Sequence, residues 1–343
     1  MKIAYLVPSL INRGPVIVVR DLINVMTAYG HQCTIYYFDE LEHTNINCPT
    51  ERICMRNSIN FNDFDVVHSH GIRSDFYVFL HKPLACRAVC ISTVHSFIFE
   101  DLASQYNKLV SFIVGKFWIQ ILSRHDKIAV LTKKALEYYK KKLPENKLKV
   151  VYNTRIINTN KKLSLEDREH VLNFKGNSVC LGINAMLSPI KGIEQVIKSL
   201  SLLENVKLWI VGDGKSMSAL QMLSDECGVR SRVHFAGYKE EAFRYLEYYD
   251  VFLMPSRCEG FGLTLLEAAC YKVPTVCSNI PVFKELFSSD EVSFFELDKI
   301  ESLVKAIGHA IGNKNLASNM NKKYVKCYSP DSFYRNYLST YAG

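Results

Sequence analysis

Short apolar runs alternate with stretches of helical spacing along almost the whole chain. Ile3–Val7 is an apolar run, and Val18, Val19, Leu22, Ile23 and Met26 then recur at helical intervals over Val16–Tyr29, with Gly30 ending the helix. Further strands are predicted over Cys33–Phe38, Val66-Val67-His68, Val89–Val94 and Lys127–Leu131, with helical segments between them. Another strand ends near Lys149–Tyr152. The stretch Asn153–Lys175 is polar, loses its period and reads as a linker. A second series follows: strand Val179–Asn184, helix Ile193–Leu203, strand Lys207–Val211, helix Ser216–Cys227, then strands Val233–Phe235, Val251–Met254 and Thr275–Cys277. Such alternation gives parallel sheets covered on both faces. Two successive series predict an α/β chain of two doubly wound, Rossmann-like domains facing a cleft, one over residues 1–165 and one over 170–327. Ligands then meet the carboxyl ends of the strands. Asp331–Tyr341 has helical spacing, and a helix over 328–343 is expected to pack back on the first domain.

Composition narrows the class. Hydrophobic residues make up 48% and charged residues 22% of the 343 positions, a globular balance that excludes a disordered or fibrous chain. No apolar run reaches the roughly 18 residues that a spanning helix needs. Met1–Val7 runs into a strand pattern without a small-residue cleavage site, so no signal peptide is expected. The eleven cysteines contain no Cys-x-x-Cys pair, which indicates neither a disulfide framework nor a zinc site and suits a reduced cytoplasm. The net charge of +8 is uneven: residues 1–170 hold 23 Lys/Arg against 16 Asp/Glu, and the remainder holds 19 against 18. A basic first half suits an anionic surface or acceptor, or solubility alone.

The most informative string is Pro255-Ser256-Arg257-Cys258-Glu259-Gly260-Phe261-Gly262-Leu263-Thr264-Leu265-Leu266-Glu267-Ala268. A buried strand ends at Pro255, a Gly-containing loop follows, and a helix opens near Gly262. The loop amides at Gly260, Phe261, Gly262, Leu263 and Thr264, with the positive helix end, can cradle a diphosphate. Glu259 in the loop can accept hydrogen bonds from sugar hydroxyls. Glu267, about a turn and a half into the helix, can accept from both hydroxyls of a ribose. A solvated Glu on an ordinary helix would explain Glu267 alone but not the whole string.

This string resembles the E-x7-E signature of the retaining GT-B glycosyltransferases of family 4, also called group 1. The resemblance extends over nearly the whole chain. It includes Tyr5–Leu10 with Arg13-Gly14-Pro15, Gly30-His31, Asp65-Val66-Val67-His68-Ser69-His70, Val211-Gly212-Asp213-Gly214 and Val233-His234-Phe235-Ala236-Gly237. It implies a GT-B fold with the donor in the second domain and the acceptor in the first. It further implies donor contacts from Arg13, Gly14, Lys191, Gly212, Tyr238, the Gly260–Thr264 loop and Glu267, and roles in the reaction for Glu259, Lys191 and His95. His95 follows strand Val89–Val94, where the family places a His beside the reacting sugar. An ordinary loop His is the alternative.

Some positions depart from the pattern. The family has Arg and then Lys five residues on. Here Lys191 is present and Met186 stands in place of the Arg, with Arg13 as the first candidate to supply the missing charge. Thr154 and Lys272 replace usual glycines. Asp63-Phe64-Asp65 is not read as a metal motif, since no third ligand is suggested nearby, and His68 with His70 reads as a strand-end turn. Leu109–Leu122 carries Phe112, Ile113, Phe117, Trp118, Ile121 and Leu122, and lysines 133, 134, 140, 141, 142, 147 and 149 follow. Residues 109–149 can thus dock on an anionic leaflet, or form a core helix followed by a solvated one.

The expected function is retaining, metal-independent transfer of a hexose or N-acetylhexosamine, from a UDP-sugar foremost, to a lipid-linked or oligosaccharide acceptor in envelope polysaccharide synthesis. The expected site is cytoplasmic, at the inner membrane face. The nucleotide-sugar is a substrate, and no cofactor, metal or nucleic acid is expected. A nucleotide-sugar epimerase of the same fold and a non-catalytic nucleotide-sugar-binding protein are the alternatives. An NAD-dependent oxidoreductase would need Gly-x-Gly-x-x-Gly after the first strand, and Ser9–Pro15 lacks it.

Overall fold

A computed structural model describes residues 1–41, 46–313 and 315–342. The chain divides into two units, Met1–Ile156 with Tyr328–Gly343, and Ile157–Cys327. The first unit therefore ends nine residues earlier than position 165.

In the first unit β1 (Lys2–Ser9) leads into α1 (Gly14–Ala28), whose first turn carries a proline where a missing amide hydrogen costs nothing. β2 (Gln32–Asp39), the short β3 (Thr50–Arg52) and β4 (Val66–His70) follow, then α2 (Ile72–His81), β5 (Val89–Val94), α3 (Ile98–Gln105), α4 (Lys108–Leu122), β6 (Lys127–Val130), α5 (Lys133–Lys140) and β7 (Leu148–Val150). The seven strands form one parallel sheet in the order β3-β2-β1-β4-β5-β6-β7. One face packs Ala4, Leu6, Phe38, Val67 and Cys90 against Phe61, Tyr77 and Val78.

The second unit opens with α6 (Leu165–Lys175), which lies inside the stretch that reads as a linker. Its sequence is polar because only Val171 is buried. What makes it a helix is its ends: Ser164 Oγ accepts from the Asp167 amide at 3.1 Å, Glu166 and Asp167 occupy the first turn, Lys175 the last, and Gly176 follows. Then come β8 (Val179–Asn184), α7 (Ile193–Ser199), β9 (Val206–Val211), α8 (Met217–Glu226), β10 (Val233–Phe235), β11 (Val251–Met254), α9 (Leu263–Tyr271), β12 (Thr275–Ser278), α10 (Pro281–Leu286), β13 (Ser293–Phe295), α11 (Ile300–Gly312) and α12 (Asn315–Lys323). The parallel sheet runs β10-β9-β8-β11-β12-β13, over a core of Leu181, Ile183, Val196, Leu208, Val251 and Leu253.

The last helix, α13 (Pro330–Ala342), belongs to the first unit. Tyr334 stacks on Tyr29 with ring centroids 3.7 Å apart and meets His31 Nε2 at 3.1 Å, so α13 is fastened beside α1.

Candidate active site

The two carboxylates of the sequence string sit at the carboxyl end of β11. Glu259 lies in the loop after that strand and Glu267 is buried on α9. Gly262 caps the helix at φ +95°, a conformation that favours glycine, and a Cβ there would stand 3.0 Å from both Met254 and Phe283. The first amides of α9 have no acceptor within the helix and point their partial positive charge along its start. Phe261 faces the core, so only its backbone is available to a ligand.

Lys191 reaches this loop from the segment after β8. Its Nζ donates to Glu259 Oε1 at 2.6 Å, and the buried Ser256 donates to the same oxygen at 2.7 Å. The two loops are joined by backbone as well, since the Arg257 amide donates to the Ile190 carbonyl at 2.8 Å. Gly192 makes the approach possible: it is left-handed at φ +64°, and a Cβ would lie 2.2 Å from the Pro255 carbonyl oxygen. Gln195, buried on α7, donates to Pro255 O at 3.3 Å, and Arg257 pairs with both Glu194 and Asp298. The Lys191–Glu259 pair thus rests on a braced frame. Ser256, Gln195 and Arg257 are supports that the sequence reading missed. Arg257 lies inside the string, but nothing in its spacing marks its partners.

The neighbouring strand ends bring up other expected residues. Gly212 follows β9, and its amide donates to the Gly237 carbonyl at 2.8 Å, next to the exposed Tyr238. Met186 is 62% exposed just after β8, so the position where the family carries Arg is open to solvent. In the first unit, Arg13 and Gly14 lie exposed at the start of α1.

His95 follows β5, as expected. His68 and His70 do not form a turn: β4 continues through both, and its alternation turns both rings to one face of the sheet. They are fully buried. His70 Nδ1 lies 2.9 Å from His95 Nε2. His68 sits between the Tyr341 hydroxyl at 2.9 Å and Thr93 Oγ1 at 2.8 Å, and Thr93 also meets the Tyr337 hydroxyl at 3.0 Å. Helix α13 therefore covers a polar layer on the sheet. Burial lowers His68 and His70 well below the ordinary imidazole range and His95 to about 4, so all three rings are neutral at pH 7.

On the other side of β4, Ser69 donates to Asp75 at 2.6 Å and lies 3.0 Å from His125 Nε2, while Trp118 donates to Asp75 at 2.7 Å. Burial raises Asp75 to about 6 against the hydrogen bonds from Ser69 and Trp118, and lowers His125 to about 3. Ser69, Asp75 and His125 are buried, Trp118 is partly so, and together they tie α2 and α4 to the sheet. Among the described residues no three His, Cys, Asp or Glu side chains are grouped to hold a metal ion.

Comparison with known proteins bears on the family and the fold. The family model for glycosyl transferases group 1 matches residues 166–326, and that for glycosyltransferase family 4 matches residues 12–155. The chain is 33% identical over 324 residues to the O-antigen biosynthesis glycosyltransferase WclY of Escherichia coli, covering 92% of this chain and 90% of the relative. It is 25% identical over 283 residues to the Escherichia coli UDP-Gal:alpha-D-GlcNAc-diphosphoundecaprenol alpha-1,3-galactosyltransferase, covering 78% and 72% of the two chains. In three dimensions it resembles Anabaena Alr3699/HepE, solved in complex with UDP and glucose, with a TM-score of 0.82 over 100% of this chain and 99% of the other. At 17% identity that likeness is one of fold, and it identifies the two Rossmann-like units as a GT-B pair.

Proposed function

The chain belongs to the group 1, family 4 glycosyltransferases, and from that premise we propose that it moves a hexose or N-acetylhexosamine from a UDP-sugar to a lipid-linked or oligosaccharide acceptor in envelope polysaccharide synthesis, with retention and without a metal. The observation that carries the reading is Lys191 held 2.6 Å from Glu259 beside the amino end of α9. The names of the O-antigen and UDP-Gal relatives support the donor and acceptor classes.

The diphosphate of the nucleotide-sugar rests on Lys191 and the amides of Gly260–Thr264, and Glu267 accepts from the ribose hydroxyls. Glu259 accepts from hydroxyls of the sugar. As the bond from the anomeric carbon to the diphosphate oxygen breaks, negative charge grows on the leaving group. Lys191 and the helix amides are already aimed at it, which is electrostatic stabilisation without reorganisation. The acceptor hydroxyl attacks from the face that the nucleotide leaves, and its proton passes to the departing diphosphate. No protein nucleophile is required. Arg13, Gly14 and His95 complete the donor contacts, and Tyr238 and Gly212 border the nucleoside.

The same reading places the enzyme at the cytoplasmic face of an anionic membrane. On α4, Leu109, Phe112, Ile113 and Phe117 are 48–68% exposed, and Lys116 lies over the Phe112 ring at 4.2 Å. An apolar helix face with a basic fringe suits the headgroup boundary. The lysines of α5 contribute less than their number suggests, since Lys140 pairs with Glu137 and Glu145. No described helix is long and apolar enough to cross a membrane.

The test is thermal stabilisation by a panel of nucleotide-sugars, followed by transfer with the best donor. A donor in hundredfold excess over its Kd adds about 2.7 kcal/mol. No stabilisation by any UDP-, GDP- or TDP-sugar would contradict the reading. Stabilisation with no transfer to any acceptor would favour a binding protein.

A further inference from the structure

We propose that His70 is a positioning residue that fixes the tautomer of His95, so that His95 meets the sugar substrate as an Nδ1–H hydrogen-bond donor and not as a proton acceptor. The proposal rests on the reading that His95 touches the sugar.

Two imidazoles whose nitrogens stand 2.9 Å apart share one hydrogen bond, and one of the rings must supply the proton. Burial keeps both rings neutral, so each carries a single proton. Two arrangements are then available. In the first, His70 donates from Nδ1 to His95 Nε2, which leaves His70 Nε2 as a bare lone pair and puts the proton of His95 on Nδ1. In the second, His95 donates from Nε2 to His70 Nδ1, which forces the proton of His70 onto Nε2.

The surroundings of His70 Nε2 separate the two. That atom is buried and makes no hydrogen bond among the described residues. In the second arrangement it is an N–H sealed from water with nothing to donate to. In the first it is an under-used acceptor. Orphaned buried N–H groups are rarer than under-satisfied acceptors on the backbone, and the same asymmetry favours the first arrangement here. The ring cannot turn away, because it sits inside β4 with its centroid 4.3 Å from that of His68, which is itself held by Tyr341 and Thr93.

The consequence falls on the ligand side. His95 makes no other hydrogen bond among the described residues, so its Nδ1–H is the group left to present. It recognises an oxygen lone pair, a sugar hydroxyl or a phosphate oxygen, and it has no lone pair with which to take a proton from an incoming hydroxyl. The nitrogen partner of one ring sets the tautomer of the other, as it does in metal-bound histidines.

The experiment is an imidazole 15N–1H correlation spectrum of the full chain labelled with 15N-histidine, with the His95 signals assigned by their loss in H95Q. The wild-type spectrum should show His95 protonated at Nδ1. In H70L that signal should give way to a mixture of tautomers, and kcat should fall by about tenfold, the scale on which orienting partners act. In H70N, whose amide can donate from the same position, kcat should recover most of that loss. Protonation of His95 at Nε2 in the wild type, or an H70L enzyme with wild-type kcat, would overturn the proposal. The spectrum needs no substrate. A protein that transfers no sugar would therefore sink the transferase reading separately.

Discussion

Lys191 Nζ and Glu259 Oε1 stand 2.6 Å apart, and both side chains are largely shielded from solvent. A diphosphate that reaches this lysine must share it with Glu259 or draw it away, so sugar and phosphate recognition are coupled through one ion pair. Replacing Lys191 by Ala should lower transfer by about 10²–10³-fold, the cost of losing one charge-stabilising donor, and should weaken UDP binding. Glu259→Gln should lower transfer similarly and leave UDP binding intact or tighter, because the lysine is released. Titration calorimetry with UDP and initial rates separate the two. UDP binding weakened equally by both substitutions would show that the pair acts only as a brace.

Met186 leaves the second family cation missing, and its side chain is exposed. Arg13 is the candidate substitute. Its side chain makes no ion pair or hydrogen bond among the described residues and is therefore available to a ligand. Arg13→Ala should weaken donor binding, and Met186→Arg should restore part of that loss while changing little in the wild-type background. A double-mutant cycle on donor affinity should give a coupling of about 0.5–3 kcal/mol. Purely additive effects would remove Arg13 from this role.

The exposed face of α4 predicts membrane behaviour. Phe112→Ser with Phe117→Ser should cut sedimentation with anionic liposomes several-fold and leave soluble-acceptor kinetics unchanged. Added salt should weaken the binding only in part, since apolar insertion is not screened. Equal recovery of wild type and variant would show that this face does not dock.

Acid should destabilise the first unit. His68, His70 and His125 are buried and neutral, with folded pKa values below the unfolded value near 6.5. Below that value the unfolded chain binds protons that the folded chain refuses, so stability is present above pH 6.5 and lost as pH falls. Each ring therefore contributes a loss of stability as pH falls from 6.5 to 5. Asp75 works in the opposite direction: its folded pKa near 6 lies above the unfolded value, so protonation below pH 6 favours the folded state. One carboxyl against three rings leaves a net loss. In Trp209→Phe, the remaining Trp118 reports on the first unit. Its urea midpoint should fall clearly from pH 7.5 to pH 5, and a midpoint independent of pH would contradict the buried neutral rings.

Much of the fold is legible in the sequence because most of its strands are largely buried and stand out as apolar runs. Val89–Val94, Val233–Phe235 and Val251–Met254 are found at the residues the pattern marks. The misses have identifiable causes. Helix α6 buries one residue, so its signal lies in Ser164 and its end charges, not in periodicity. β3 is an exposed three-residue edge with no apolar position to mark it, and β13 is a three-residue strand that the sequence pattern does not separate from its surroundings. β4 runs two residues past His68, where polar imidazoles mask the strand pattern. The alternation continued by two positions puts His70 on the face of Tyr5 and His68. The Glu259–Lys191 contact spans 68 positions, and no spacing in the sequence marks it. The bracing by Gln195 and Arg257 leaves no mark in spacing at all.

The central claim is transfer with retention from a nucleotide-sugar held by Lys191 and the α9 loop without a metal. It is tested most directly by the anomeric configuration of the product formed in excess EDTA. The donor that stabilises the protein most should be incubated with a lipid-linked or oligosaccharide acceptor, and the new anomeric proton read by NMR. An α-linked product from an α-donor, formed at the same rate with and without EDTA and lost in Lys191→Ala, is the predicted result. A β-linked product, or transfer that stops on chelation and returns with added divalent ion, would contradict it.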